Sequence, residues 1–360
     1  MLGSKRVQFA LAIVTTVAVG CSGGENTETT GGKGGAGGQG GETSSSTGGA
    51  GGMGGDGGSA GAPVCPPEDD TVLAATQLFF GEGNSGEWKS FGFNLDGLES
   101  TATSKDVCKP NSGAATSTPY PDGDMGIDNS FGKNLLPLIL SLYPTWVTDI
   151  NNGIKNGFFT SMLELECLPP MGDVSVLTTK LYAATSLGAM PKFDGTDKWP
   201  VAPELLSDPM DPNSSTIVFN KASVMGSTFD AGKNETFVLT VPMKTQSGST
   251  SIKLTLYAAH TVMTLSDDRK SATAGMIGGV LNTEEFVAEI KKVGALLNLC
   301  DSQVFTNMIT QIRQASDILT DGTQDPDKTC DGISMGLGFN MKQVLLGDVG
   351  PATPVGASCP

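Results

Sequence analysis

From Ser22 to Pro63 the chain is written largely in Gly-Gly-X: GGKGGAGGQGGE and GGAGGMGGDGGS, separated by TSSST. This tract fixes the architecture before any other segment is read. It offers no side chains from which to build a core, and glycine loses the most conformational freedom on ordering. Collagen is excluded, because two of every three positions are glycine and proline is absent from the repeats. The tract reads as a flexible linker with a typical end-to-end span of roughly 35 Å. Whatever folds lies after it, in residues 64–360, which suffice for a proper hydrophobic core.

Before the tract, Lys5 and Arg6 precede an apolar run from Val7 to Gly20. A membrane-spanning helix needs about 20 apolar residues, and this run is shorter. A basic start followed by a short apolar run reads as an export signal covering 1–20. Ala18-Val19-Gly20-Cys21 resembles the lipobox of bacterial lipoproteins, although Ala18 stands where that family usually has Leu. The resemblance implies that Cys21 is acylated and becomes the mature N-terminus, with 21–63 as its tether. Ser22, rather than an aspartate, follows the cysteine, which by the same resemblance implies the outer membrane, facing the periplasm or the exterior. Each buried acyl methylene contributes about 0.8 kcal/mol, so several chains hold a protein firmly.

The precursor carries a formal charge of −16; loss of Lys5 and Arg6 with the signal takes it to −18. Such acidity argues against nucleic acid, whose phosphates need Lys and Arg, and against electrostatic docking on anionic lipid. Contact with the membrane is expected through the anchor alone, and a protein or glycan partner stays open. Six cysteines follow the tether: Cys65, Cys108, Cys167, Cys300, Cys330 and Cys359. An even number in an exported chain reads as three disulfides, and no zinc-like spacing occurs. Of fifteen connectivities, the expectation is Cys65–Cys359, Cys300–Cys330 and Cys108–Cys167.

Alternating and β-rich runs predict strands over 73–80, 88–95, 158–167, 173–185, 215–224, 235–244 and 251–265. GISMGLGFNMKQVLLG adds one or two closing strands, and GMIGG, 275–279, reads as a bend. Helical spacing predicts one helix capped by Asn134 and broken at Pro144. A further stripe is Trp146, Ile150 and Ile154. A third helix starts at Asn282, with Glu285 placed for a reciprocal capping bond and Phe286, Ile290, Val293 and Leu297 inward. Phe305, Ile309 and Ile312 mark a fourth. Strands in runs with segregated helices give a mainly β body with helical insertions, an antiparallel sandwich stapled by disulfides.

Two acidic loops are candidate calcium sites. In PDGDMGIDNSFG, Asp122, Asp124, Asp128 and Asn129 place oxygens at i, i+2, i+6 and i+7, a pattern of ligands suited to Ca²⁺ but not an EF-hand. In SDILTDGTQDPDKTCDG, Asp321, Asp325, Asp327 and Asp331 follow Asp317; these carboxylates need solvent or a cation between them. Plain turns are the competing account of both loops, since Asp and Asn bond their own backbone. Asp96 is a further oxygen donor. Glu164 and Glu166 in LELE share one strand face, which reads as the solvent face opposite Leu163 and Leu165. His260, the single histidine, lies in a strand with no nucleophile motif beside it.

Taken with the tether at 22–63, the segments DGDMGIDNSFG and CDGISMGLGF resemble glycine-tethered lipoproteins of myxobacterial type. That group has no assigned activity or catalytic residues to carry over. The expectation is a lipid-anchored envelope protein acting as a non-enzymatic binding or scaffold module with structural calcium. The alternative is an envelope hydrolase working through acidic residues. A hydrolase gathers its carboxylates in a deep pocket with perturbed pKa values, whereas a binding module displays them in exposed loops.

Overall fold

The computed structural model describes residues 70–83, 86–111, 120–245, 248–353 and 356–360. The expected signal segment and tether, with Cys21 and Cys65, lie outside the described residues. The body is mainly β, with strands β1 (Thr71–Phe79), β2 (Thr160–Leu165), β3 (Val174–Ala184), β4 (Lys198–Val201), β5 (Ile217–Met225), β6 (Thr228–Asp230), β7 (Glu235–Thr245), β8 (Gly248–Leu265), β9 (Ser271–Asn282) and β10 (Gly332–Val349). All belong to one sheet, antiparallel except where β4 runs parallel to β10. Pairing closes on itself through β1, β2, β3, β5, β6, β8, β9 and β10 back to β1. The facing layers expected of a sandwich thus belong to a single hydrogen-bonded circuit.

Side-chain alternation explains how the circuit fills. On β1, Leu73 and Ala75 enter the main core. Val72 and Ala74 point the other way, into a second core with Met162, Tyr182, Trp199, Val201 and Val344. β2 is therefore buried along both faces. This corrects the LELE reading. Leu163 and Leu165 face the main core, but Glu164 opposite them is buried too, where it accepts a hydrogen bond from Tyr182 (2.8 Å) and lies 3.5 Å from Lys180. Glu166, just past the strand, takes the closer contact with Lys180 at 2.5 Å.

The helices are α1 (Leu136–Leu142), α2 (Trp146–Lys155), α3 (Thr283–Leu296) and α4 (Gln303–Gln314). Asn282 caps α3 as expected, accepting from the amides of Glu284 and Glu285. The Glu285 carboxylate does not return the bond; Tyr257 occupies it at 2.9 Å. Asn134 is not a cap. A π-helical turn, Phe131–Leu135, leads into α1 instead. Asn129 receives the Gly132 amide at 2.8 Å, so the helical path opens several residues before the expected cap. On α2, Asn151 accepts from the Leu78 amide (2.8 Å) and donates to its carbonyl (2.9 Å), extending the pairing of β1 with a side chain.

Two expectations fail along the segment leading to these loops. Residues 88–95 form no strand; a 3₁₀ turn, Glu87–Ser90, is followed by an extended loop. GMIGG is no bend but the middle of β9, paired to β10. The two errors share one cause. Backbone at Phe91 and Gly92 lies against Gly336, and a Cβ on Gly278 would stand 2.8 Å from the Phe93 ring. Glycine in these strands lets another segment approach closely.

The cysteine pairing also differs from the expectation. Cys108 bonds Cys330 and Cys300 bonds Cys359. Cys167 is disulfide-bonded as well, but not to Cys108. An isolated parallel bridge between Lys109 and Thr329 brings Cys108 beside Cys330, a proximity that spacing along the chain does not encode.

Candidate functional site

The segment 94–100, the loop 120–130 and the residues after α4 converge beside the Cys108–Cys330 disulfide. Each contributes carboxylates. Asp96 accepts from the Leu98 amide (2.8 Å) and from the side chain of Gln324 (2.9 Å). Gln324 also receives the Cys108 amide at 2.8 Å, which ties the segments together through one amide group. Asp122 accepts the Ser100 amide. Asp128 is only 2% exposed and receives the Leu95 amide at 2.7 Å. Asp317 takes both the amide (2.9 Å) and the hydroxyl (2.5 Å) of Ser334 on β10.

Among the described residues none of these four carboxylates is in an ion pair. Burial, reinforced by repulsion from neighbouring carboxylates, pushes Asp122, Asp128 and Asp317 towards the protonated form. Burial first, then Asp96 and Asp317, pushes Asp128 up to about 9. Asp317 rises to about 7, chiefly through burial, against the opposing bonds from Ser334. Asp122 rises to about 6 for the same leading reason. The charge of Lys133 acts on Asp122 and Asp317, but its ammonium donates to the Pro121 carbonyl (2.8 Å) and sits over the Trp88 ring at 4.8 Å. Burial lowers its pKa. Ser100, Tyr120, Asp122, Asp317, Gln324 and the disulfide surround a cavity of about 10 Å³. That is room for about one water molecule.

The expected calcium ligands do not assemble as drawn. Asp122 and Asp128 join the buried cluster. Asp124 is exposed, and Asn129 is consumed, accepting from Gly132 and Gly336 while donating to the carbonyls of Trp88 and Phe91. In the second loop Asp321 binds the amide and hydroxyl of Thr323 (3.0 and 2.6 Å), and Asp325 binds the Asp327 amide (2.9 Å). Asp331 binds the Thr320 amide at 2.8 Å, and the Asp327 carbonyl takes Lys109. These are self-bonded turns, and the Thr323 and Asp327 donors hold Asp321 and Asp325 below the usual carboxylate range. Among the described residues no three Asp, Glu, His or Cys side chains are arranged to hold a metal ion.

The sequence marks Asp96 and Asp317 as acids but does not mark Gln324 and Ser334 as their partners, although both stand in the segments around them. His260 is a partnered strand histidine, 3.0 Å from Asp230 and packed on Phe93 with ring centroids 4.4 Å apart. Comparison with known proteins adds no assignment: no protein-family model, no curated protein and no solved structure matches the chain.

Proposed function

We propose that this chain is a lipid-anchored protein of the bacterial outer membrane whose β body is a non-enzymatic binding or scaffold module. The observation that supports the second half is the size of the place where acids converge. A water-sized cavity leaves no room for a substrate bond between Asp122 and Asp317, whereas binding and active sites of small-molecule proteins run to about 300–1,000 Å³. In the second loop Asp321, Asp327 and Asp331 are exposed and Asp325 is half-exposed, the open display that suits such a module.

The raised pKa values of Asp122, Asp128 and Asp317 favour the alternative, a hydrolase using a protonated carboxyl as general acid. The small cavity favours the binding reading over it. In the preferred reading protons, not calcium, neutralise the buried cluster.

Three experiments test this. In a bacterium that processes lipoproteins, Cys21→Ser should move the protein from the membrane to the soluble fraction; retention in the membrane would remove the anchor. A panel of chromogenic glycosides and esters should show no turnover. Turnover abolished by both Asp122→Asn and Asp317→Asn would establish the hydrolase. A melting midpoint raised by calcium and reset by chelator, by roughly 4 °C at saturating metal, would restore the metal site.

A further inference from the structure

A second cavity, far larger than the first, opens where β8 turns into β9, and its charge runs against that of the whole molecule. It is an open cleft of about 400 Å³, within the size range of small-molecule sites. Its wall includes Thr71, Leu168, Pro169, Arg269, Lys270 and Gln343. Arg269 is the unusual member. It is 6% exposed, buried to a degree that charged residues reach only when paired.

Among the described residues Arg269 is paired only with neutral groups. Nη1 donates to the Pro169 carbonyl and Nη2 to the Gly172 carbonyl, each at 2.5 Å. Those bonds fix the guanidinium plane against the loop between β2 and β3 but use two of its five donors and none of its charge. Asp268, its neighbour in sequence and also on the wall, is turned to its own backbone. It accepts from the Ser266 hydroxyl (2.6 Å) and the Lys270 amide (3.1 Å), which hold it ionised. Asp70 places its carboxylate on the Cys167 amide at 2.9 Å. Among the described residues neither Arg269 nor Lys270 is in an ion pair. A buried cation without a counter-charge is costly, and a guanidinium is shaped to receive a carboxylate through parallel N–H bonds. Leu168, Pro169 and Pro170 supply an apolar wall beside it.

From this geometry we propose that the cavity binds a small organic carboxylate with an apolar body. Arg269 receives the carboxylate, Lys270 assists at the rim, and the Leu168–Pro170 wall packs the remainder. The site is separate from the acidic cluster and does not depend on the role proposed for it. A chain of charge −16 does not gather anions indiscriminately, so binding here is selective.

Benzoate is the probe, titrated into the full-length protein by calorimetry beside benzyl alcohol and inorganic phosphate. Benzoate should bind at least about tenfold more tightly than either, the scale of a charge-assisted hydrogen bond. Arg269→Gln should abolish that preference. Because this variant also loses the bonds to Pro169 and Gly172 and can fail to fold, Lys270→Glu is the second variant. It leaves the carbonyl clamp intact and should weaken benzoate about tenfold while leaving benzyl alcohol unchanged. Equal binding of benzyl alcohol would reduce the cavity to an apolar cleft, and phosphate matching benzoate would overturn the carboxylate class. No heat with benzoate, or benzoate binding unaltered in Lys270→Glu, would overturn the site.

Discussion

The loops 120–130 and 321–331 carry three and four aspartates and are physically opposite. In the first, Asp122 and Asp128 are drawn under neighbouring segments and their carboxyls are pushed towards the neutral form. In the second, Asp321 and Asp325 stay near water, each accepts amide or hydroxyl donors from its own turn, and both are pushed towards the charged form. The count of carboxylates is therefore a poor guide to chemistry. What decides is whether donors and solvent outnumber the charges they must satisfy. The Cys108–Cys330 disulfide ties the second loop to the segment that precedes the first.

Removing that link is the strongest way to break the comparison. Cys108→Ser with Cys330→Ser opens a loop spanning 222 positions and should cost about 3–4 kcal/mol in thermal or denaturant unfolding. Next comes Asp128→Asn, which keeps an acceptor for the Leu95 amide and removes the titratable proton. Asp128 has a folded pKa above its unfolded value, so the folded state binds the extra proton and stability falls as pH rises from about 4 towards 9. The variant should be more stable than the parent by at least about 2 kcal/mol at pH 8, with the gain vanishing near pH 4. Asp317→Asn follows the same sign with a midpoint near 7, but forfeits a charged acceptor for Ser334; a gain of about 1 kcal/mol at pH 8 is expected. A flat stability profile between pH 5 and 9 would contradict both.

The smallest effect sharpens the contrast from the other side. Asp321→Ala loses the turn bonds to Thr323 and should cost no more than about 0.5 kcal/mol at pH 7, because the group is well solvated. Its folded pKa is depressed, so this contribution exists at neutral pH and disappears on acidification through the carboxylate range. The two loops thus answer a fall in pH with opposite signs, which urea titrations of the two variants at pH 4 and pH 8 would read directly.

Legibility in the sequence followed the range of the interaction. The Asn282 cap, the Phe305–Ile309–Ile312 stripe and most strands depend on neighbours within a few residues, and periodicity revealed them. The glycines of β9 were misread because their reason lies across the sheet, at Phe93 and Leu256. Glu164 looked solvated because one polar face is the rule for an antiparallel strand, and alternation cannot announce a second core behind it. Asp96 and Asp317 were visible as acids, but their meeting depends on β10 carrying Ser334 beside the chain that follows α4. The lone charge of Arg269 gave no signal at all, since a surface turn such as SDDRK ordinarily keeps its arginine in water.

β10 has one more consequence. It pairs with β1, β4 and β9, all of which precede it in the chain. Until it arrives, β1 and β9 each present an unsatisfied edge, and the circuit cannot shut. Closing it joins partners more than 250 residues apart, such as Val72 and Val344, and pairings of such separation form slowly. A chain delivered from its N-terminus onward is therefore an open, aggregation-prone sheet for most of its emergence, and needs shelter until its closing strand is available.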